Sequence, residues 1–130
     1  MSPNNTVAGR QPVMRRVLIK CDKKVFLLKE QEIDFVEAAG NYVHVSLGSV
    51  TLFSRTSLTR LASLLNTERF VRIHRSAIVN VDQIGHLEPQ SGGEYLLTLR
   101  SGKQLKASRR QVGELLKSIR GHVPEERLIA

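Results

Sequence analysis

Short apolar segments rich in β-branched residues alternate with turn residues along most of the chain, a pattern typical of a mostly antiparallel β domain. The pattern predicts strands over residues 17–20, 25–28, 33–39, 42–47, 50–54, 70–73, 84–88, 95–100 and 104–107. Gly48 lies between two of these segments and supplies the positive φ angle that a tight hairpin turn needs. Two further turns are predicted at residues 91–93 and 101–102.

The hydrophobic period changes to that of an amphipathic helix in two places. The first helix is expected after Thr56 or Ser57 as its N-cap, with apolar positions at Leu58, Leu61, Ala62 and Leu65. The second opens at Ser108 and stops at Gly121, ahead of Pro124, with apolar positions at Val112, Leu115, Leu116 and Ile119. The predicted fold is therefore mainly β with two short α-helices, in the α+β class.

The second helix begins with Ser108-Arg109-Arg110-Gln111, which has the form of a capping box. The Ser108 hydroxyl is expected to accept from the Gln111 amide, while the Gln111 side chain reaches back. Arg109 and Arg110 then fall in the first turn, where the helix dipole already places partial positive charge. A phosphate or a base edge beside them would offset this repulsion. The alternative is that both arginines simply extend into solvent.

The length of 130 residues and the hydrophobic content of 41% fit one domain with a single sizeable core. We expect a disordered leader over residues 1–14, the domain over 15–121 and a flexible tail over 122–130. No apolar run approaches the roughly 20 residues of a membrane-spanning helix, and no secretory signal opens the chain. The lone Cys21 cannot form an internal disulfide. We therefore expect a cytoplasmic protein with no membrane partner.

The net charge of +8 and the pI of about 10.3 favour a polyanionic partner, with nucleic acid as the leading candidate. The charge is segregated along the chain. Cations concentrate in residues 55–75 and 100–120, whereas acidic residues gather in 30–37 and 82–94. This distribution predicts a polarised surface, and the alternative is a generally cationic, solvated exterior.

Two loop clusters are candidates for contact with such a partner. His74 and Arg75 follow the apolar segment 70–73, where a strand gives way to a loop. Arg75 is suited to a guanine edge or a phosphate, and the sequence does not choose between them. His74 is equally well explained as a structural residue that donates to a nearby carbonyl.

The second cluster is Ala38-Ala39-Gly40-Asn41-Tyr42-Val43-His44. Its small residues and glycine permit close backbone approach before Asn41, Tyr42 and His44 are presented. The cluster suits a recognition loop and, equally, an ordinary bulged hairpin with a buried Tyr42.

Catalytic and metal sites find little support in the sequence. The possible metal ligands are scattered singly along the chain: Cys21, His44, His74, His86 and His122. Neither a Walker motif nor GxGxxG occurs, and no nucleophile elbow accompanies the conceivable triad His74, Ser76 and Asp82. We therefore expect no enzyme activity, no metal and no cofactor. Helix-turn-helix, zinc-finger, basic-zipper and RRM signatures are also absent, which favours binding through loops.

Three blocks in this order resemble the LytTR family of bacterial DNA-binding domains. They are Phe-Val-Glu-Ala-Ala-Gly-Asn-Tyr at 35–42, Phe-Val-Arg-Ile-His-Arg-Ser-Ala-Ile-Val-Asn at 70–80 and Ala-Ser-Arg-Arg at 107–110. The resemblance implies an elongated domain of antiparallel sheets whose loops enter the DNA major groove. Carried over by position, it places DNA contacts at Asn41, Tyr42, Val43, His44, His74, Arg75, Arg109 and Arg110.

The resemblance also implies a sequence-specific transcription regulator that binds double-stranded DNA as paired subunits on repeated half-sites. Family members commonly follow a receiver domain in two-component response regulators. Since only about fourteen residues precede the domain, we expect a stand-alone regulator or an excised output domain, whose missing partners would be a receiver domain and a sensor kinase.

Base edges are expected to be contacted by Asn41, His44, Arg75 and Arg110, whereas cations of the basic segments, Arg55 and Lys106 included, would supply salt-dependent affinity for the backbone. Two alternatives remain at this point. One is a β-rich RNA- or ribosome-associated module, and the other is a domain that binds an acidic protein.

Overall fold

The structure is a computed structural model, and it describes residues 15–120. The predicted leader at 1–14, the predicted helix stop at Gly121 and the predicted tail at 122–130 lie outside the described residues. Within them, ten strands and two α-helices follow one another along the chain. No helix of this described part is long and apolar enough to cross a membrane.

The strands form three antiparallel sheets. The first is a hairpin of β1 (Arg16–Cys21) and β2 (Lys24–Lys29). The second has the order β5-β4-β3-β7-β6, with bounds Phe35–Ala39 for β3, Tyr42–Leu47 for β4, Val50–Ser54 for β5, Phe70–His74 for β6 and Ala77–Asn80 for β7. The third has the order β10-β9-β8, with bounds Ile84–Pro89 for β8, Tyr95–Leu99 for β9 and Gln104–Ala107 for β10.

The five-stranded sheet separates two hydrophobic cores, because its central strands carry apolar residues on both faces. Val36 and Val45 lie on one face with the β1–β2 hairpin and the helix α1 (Leu58–Leu64). Phe35 and Val79 lie on the other with the third sheet and the helix α2 (Arg109–Arg120). The predicted single core is therefore wrong, and the sheet is the layer that both cores share.

Most predicted elements are confirmed, with small shifts at their ends. Ser57 caps α1 by accepting from the Arg60 amide at 3.0 Å, which decides between the two predicted caps. Gly48 has φ of +65° in the β4–β5 hairpin, as the sequence requires. β3 begins at Phe35, two residues later than predicted, because residues Glu30–Glu32 form a 3-10 turn that ends at Ile33.

The sequence pattern did not predict strand β7. β7 (Ala77–Asn80) is buried along its whole length, so it lacks the alternation of apolar and polar residues by which other strands were found. It is the central link between β3 and β6.

The capping box of α2 is confirmed in only one half. The Ser108 hydroxyl accepts from the Gln111 amide at 3.2 Å. The Ser108 amide, however, donates to the Ile73 carbonyl at 2.9 Å and so has no need of the glutamine. Gln111 Oε1 instead accepts from the Ser108 hydroxyl at 3.2 Å. The start of α2 is thereby fastened to the end of β6.

Candidate nucleic-acid interface

One end of the five-stranded sheet gathers loops that are far apart in the sequence. The β3–β4 turn lies at this end, and so does the β6–β7 turn, because Glu37 of β3 pairs with Ala77 of β7. A hydrogen bond of 2.8 Å from the Ala38 amide to the Ser76 carbonyl joins the two turns directly. Arg55 follows β5 at the same end, next to the Val43–Ser54 register pair. We call this end of the sheet the turn end.

The start of α2 and strand β10 complete the turn end. Ser108 is bonded to Ile73 of β6, so Arg109 and Arg110 leave the helix start beside the β6–β7 turn. Lys106 of β10 lines a shallow cavity of about 260 Å³ together with His74 and Ser76. The structure thus brings all three sequence-predicted clusters to one side of the molecule.

Two predicted histidines share one row across the sheet. Successive register pairs link His44 to Glu37, Glu37 to Ala77 and Ala77 to His74. With strands about 4.8 Å apart, the backbones of His44 and His74 are separated by roughly 14 Å, and both residues belong to the same face of the sheet. Glu37 lies between them, and Lys103 Nζ approaches its carboxylate at 3.9 Å. This lysine offsets a negative charge that would otherwise repel an anion at the row.

The β3–β4 turn exposes part of the predicted cluster and buries the rest. Asn41 and Tyr42 are exposed, with Tyr42 at 44%, so the alternative of a buried tyrosine is wrong. Val43 is 0% exposed and belongs to the core, because strand alternation turns it away from His44. The Val43 side chain is therefore not accessible to a ligand, so a contact at this predicted position would have to come from its backbone. His44 is half-buried and stacks on Phe53.

In the β6–β7 turn, the Nδ1 atom of His74 accepts a hydrogen bond. The Ser76 amide donates to His74 Nδ1 at 3.2 Å, and the Ser76 hydroxyl lies 2.9 Å from the same nitrogen. The expectation that the ring donates to a carbonyl does not match these contacts. Because Nδ1 accepts, the neutral ring carries its proton on Nε2. Arg75 is exposed at the tip of the turn.

Arg109 and Arg110 are both exposed in the first turn of α2. The Arg109 side chain lies along the β8–β9 turn, where a Cβ added to Gly93 would be 3.6 Å from its Nη1. Gly93 has φ of +85°. Glycine is favoured here by the positive φ of the turn, since a Cβ would make only an ordinary contact with the arginine.

Several cations at the turn end have no ion-pair partner among residues 15–120. Elsewhere Arg15 pairs with Glu30 at 3.5 Å and Arg69 with Asp82 at 2.7 Å. Within residues 15–120, no ion pair or side-chain hydrogen bond engages the candidate cations, which are Arg55, Arg75, Lys106, Arg109 and Arg110. Their positive charge is therefore available to an external anion.

Two observations concern the metal-ligating and nucleophilic side chains of the described residues. In the described part of the chain no three His, Cys, Asp or Glu side chains are grouped to hold a metal ion. Burial raises the pKa of the Cys21 thiol, partly opposed by a hydrogen bond with the Phe53 backbone. The thiol therefore stays protonated to a higher pH than a free cysteine, which disfavours a nucleophilic role.

Two residues of the turn end were missed by sequence reasoning. In the sequence Phe53 is only one apolar position of a predicted strand, yet it is 53% exposed and contacts His44. Arg72 is one cation of the basic segment 55–75, yet its guanidinium bonds to the β6–β7 turn. The alternation of β5 could have placed Phe53 opposite its core residues; no local signal identifies the contacts of Arg72.

Comparisons with known proteins agree on one family. The family model for the LytTr DNA-binding domain matches residues 23–120. An uncharacterized response regulatory protein of Yersinia pestis is 30% identical over 112 residues, which cover 86% of this chain and 46% of that protein. The sensory transduction protein LytT of Bacillus anthracis is 26% identical over 107 residues, covering 82% of this chain and 44% of that protein.

A solved structure has the same fold. It is the LytTr DNA-binding domain of a putative methyl-accepting/DNA response regulator from Bacillus cereus. The TM-score is 0.70 at 25% identity, and the match covers 80% of this chain and 95% of the other. By contrast, this chain spans about half the length of the curated relatives it matches.

Proposed function

The chain belongs to the LytTR family of DNA-binding domains, and on that premise we propose that its turn end binds double-stranded DNA sequence-specifically. The main support is that three exposed segments converge at this end of the sheet. The cations presented there have no ion-pair partner within residues 15–120. The loops are linked by hydrogen bonds between Ala38 and Ser76 and between Ser108 and Ile73. A surface held in this way can present several side chains to one ligand at fixed spacing.

The contacts divide into two kinds. Asn41, His44, Arg75 and Arg110 contact base edges, because amide, imidazole and guanidinium groups offer the hydrogen bonds that distinguish bases. Arg55, Lys106 and Arg109 contact phosphates. His74 and Tyr42 also contact the DNA, from the β6–β7 and β3–β4 turns. Among the Val43 atoms, only the backbone could take part, since the side chain lies in the core.

The wider role that we propose is transcription regulation as the output domain of a response regulator. Support comes from its relatives, which include an uncharacterized response regulatory protein of Yersinia pestis and the transcriptional regulatory protein LytR of Staphylococcus aureus. In a longer protein a receiver domain would control this domain, and a sensor kinase would control the receiver. We also propose that the chain works in the cytoplasm, in pairs on repeated half-sites, as a binding protein without cofactor or catalysis.

Selection from a random-sequence DNA pool tests the proposal. The full chain is incubated with the pool at about 150 mM salt, where nonspecific phosphate attraction is weakened. We expect a sharp motif made of two short half-sites about one helical turn apart. Salt-sensitive binding without enrichment of any sequence would contradict specific recognition. Equal affinity for an A-form RNA duplex would then favour an RNA-associated module.

A further inference from the structure

Arg72 contacts the turn that carries two of the proposed DNA-binding residues. Its Nη2 donates to the Arg75 carbonyl at 2.6 Å, and its Nε donates to the His74 carbonyl at 3.3 Å. Its Nη1 lies 3.5 Å from the Thr59 hydroxyl of α1. One guanidinium therefore spans the β6–β7 turn and the first helix.

The backbone at this point needs such support. The register of β6 and β7 shifts between Arg72 and His74, so Ile73 is an extra residue in the ladder. Ile73 is 0% exposed in the core, which fixes the start of the irregularity. Beyond it, the His74 and Arg75 carbonyls are held by the arginine fork.

The chemistry of arginine suits this task better than that of lysine. The guanidinium is planar and presents several N–H donors in a rigid fork, so it can hold two carbonyls at once. Lysine offers a single ammonium on a flexible stem and keeps the charge without the fork. With Nε, Nη1 and Nη2 all engaged by the protein, Arg72 differs from the unpaired Arg75 beside it.

We propose that Arg72 is a positioning residue for DNA recognition, which holds the β6–β7 turn in the shape that presents His74 and Arg75 without itself contacting DNA. This inference rests on the proposed function. The sequence specificity of the β6–β7 turn then depends on Arg72, which lies on the opposite face of β6 from His74.

The test compares Arg72→Lys with the matched control Arg60→Lys in the full chain. Arg60 is exposed on α1, and within residues 15–120 no hydrogen bond or ion pair engages its guanidinium, while its backbone bonds to Ser57 and Ser63 do not depend on the side chain. Both changes conserve charge. For Arg72→Lys we expect about tenfold weaker binding to the duplex selected by the wild type, and unchanged binding to a random duplex, because the bonds lost are charge-assisted. The control should bind both duplexes like the wild type.

A double-mutant cycle with Arg75→Ala separates positioning from direct contact. If Arg72 acts through Arg75, Arg72→Lys weakens binding about twofold or less once Arg75 is alanine. An undiminished tenfold loss both in that background and in a His74→Ala background would overturn the proposal, since Arg72 would then act independently of the two residues that it is proposed to position. Wild-type affinity of the single Arg72→Lys variant would overturn it too.

A readout without DNA distinguishes failure of this inference from failure of the proposed function. We expect the Ser76 amide, which bonds to His74 Nδ1, to exchange its hydrogen faster in Arg72→Lys than in the wild type or in Arg60→Lys. Unchanged exchange would show that Arg72 does not hold the turn, whatever the chain binds. A wild type that enriches no DNA sequence, with the faster exchange present, would contradict only the DNA role.

Discussion

The imidazole of His44 stacks on the ring of Phe53, with centroids 4.4 Å apart and planes inclined by 11°. The two residues are register partners on β4 and β5, so the sheet itself sets their separation. The stack holds the half-buried imidazole in one plane. It thereby orients a proposed base contact before DNA arrives, which lowers the entropy cost of binding.

Replacing Phe53 by Leu should therefore weaken DNA recognition while leaving the fold intact. Leucine keeps apolar bulk but cannot stack, and aromatic pairs contribute about 0.5–1.5 kcal/mol beyond buried area. We expect a loss of about three- to tenfold in affinity for the selected duplex, measured by fluorescence anisotropy. Val50→Ala, at another exposed position of β5, is the control and should bind normally. Equal affinity of both variants would show that the stack has no part in binding.

Arg110→Ala should reduce sequence discrimination more than overall affinity. A bidentate base contact provides about 1–3 kcal/mol of discrimination, so the preference for the selected duplex over a random one should fall by about tenfold or more. Because Arg110 is exposed, the melting temperature should not change. Lys117→Ala, exposed further along α2, is the matched control. Unaltered discrimination in Arg110→Ala would remove this residue from the base contacts.

Arg55→Ala should affect all sequences alike, because Arg55 is assigned to a phosphate. Each phosphate contact changes the slope of log affinity against log salt by about 0.9. We expect the slope to become shallower by about that amount for the selected and the random duplex alike. A loss confined to the selected duplex would instead assign Arg55 to a base.

Val43→Ala should cost stability and leave recognition unchanged. The Val43 side chain is fully buried, and removing its two methyl groups should lower the free energy of unfolding by about 2 kcal/mol. Urea denaturation measures this change. The folded variant should bind the selected duplex like the wild type; a stable variant with weakened binding would reinstate Val43 as a contact residue.

The local structure of this domain could be predicted from its sequence because its signals are local. Gly48 and Ser57 determine a turn and a helix cap through their own backbone and hydroxyl chemistry. The β7 strand could not be found in this way, since an element buried on both faces shows no alternation. The Gln111 half of the capping box failed for a related reason. A distant carbonyl, that of Ile73, had already taken the amide.

The candidate site divides in the same way. Charge and backbone permissiveness located its three loops, but not their convergence, which depends on pairings such as Ala38 with Ser76 across the sheet. The exclusion of the Val43 side chain and the inclusion of Phe53 follow from which face of β4 and β5 each occupies. Sequence alone left that choice open because both faces of these strands carry apolar residues.

Amide chemical-shift mapping shows which surface of the domain DNA contacts, and so whether DNA binds the turn end. The ¹⁵N-labelled chain is titrated with the selected duplex, at a salt concentration that suppresses nonspecific binding. We expect the largest shifts at Asn41, Arg75 and Arg109, which lie in three segments that only the fold brings together. Largest shifts on the β1–β2 hairpin or along α1, with these three amides unmoved, would contradict binding at the turn end.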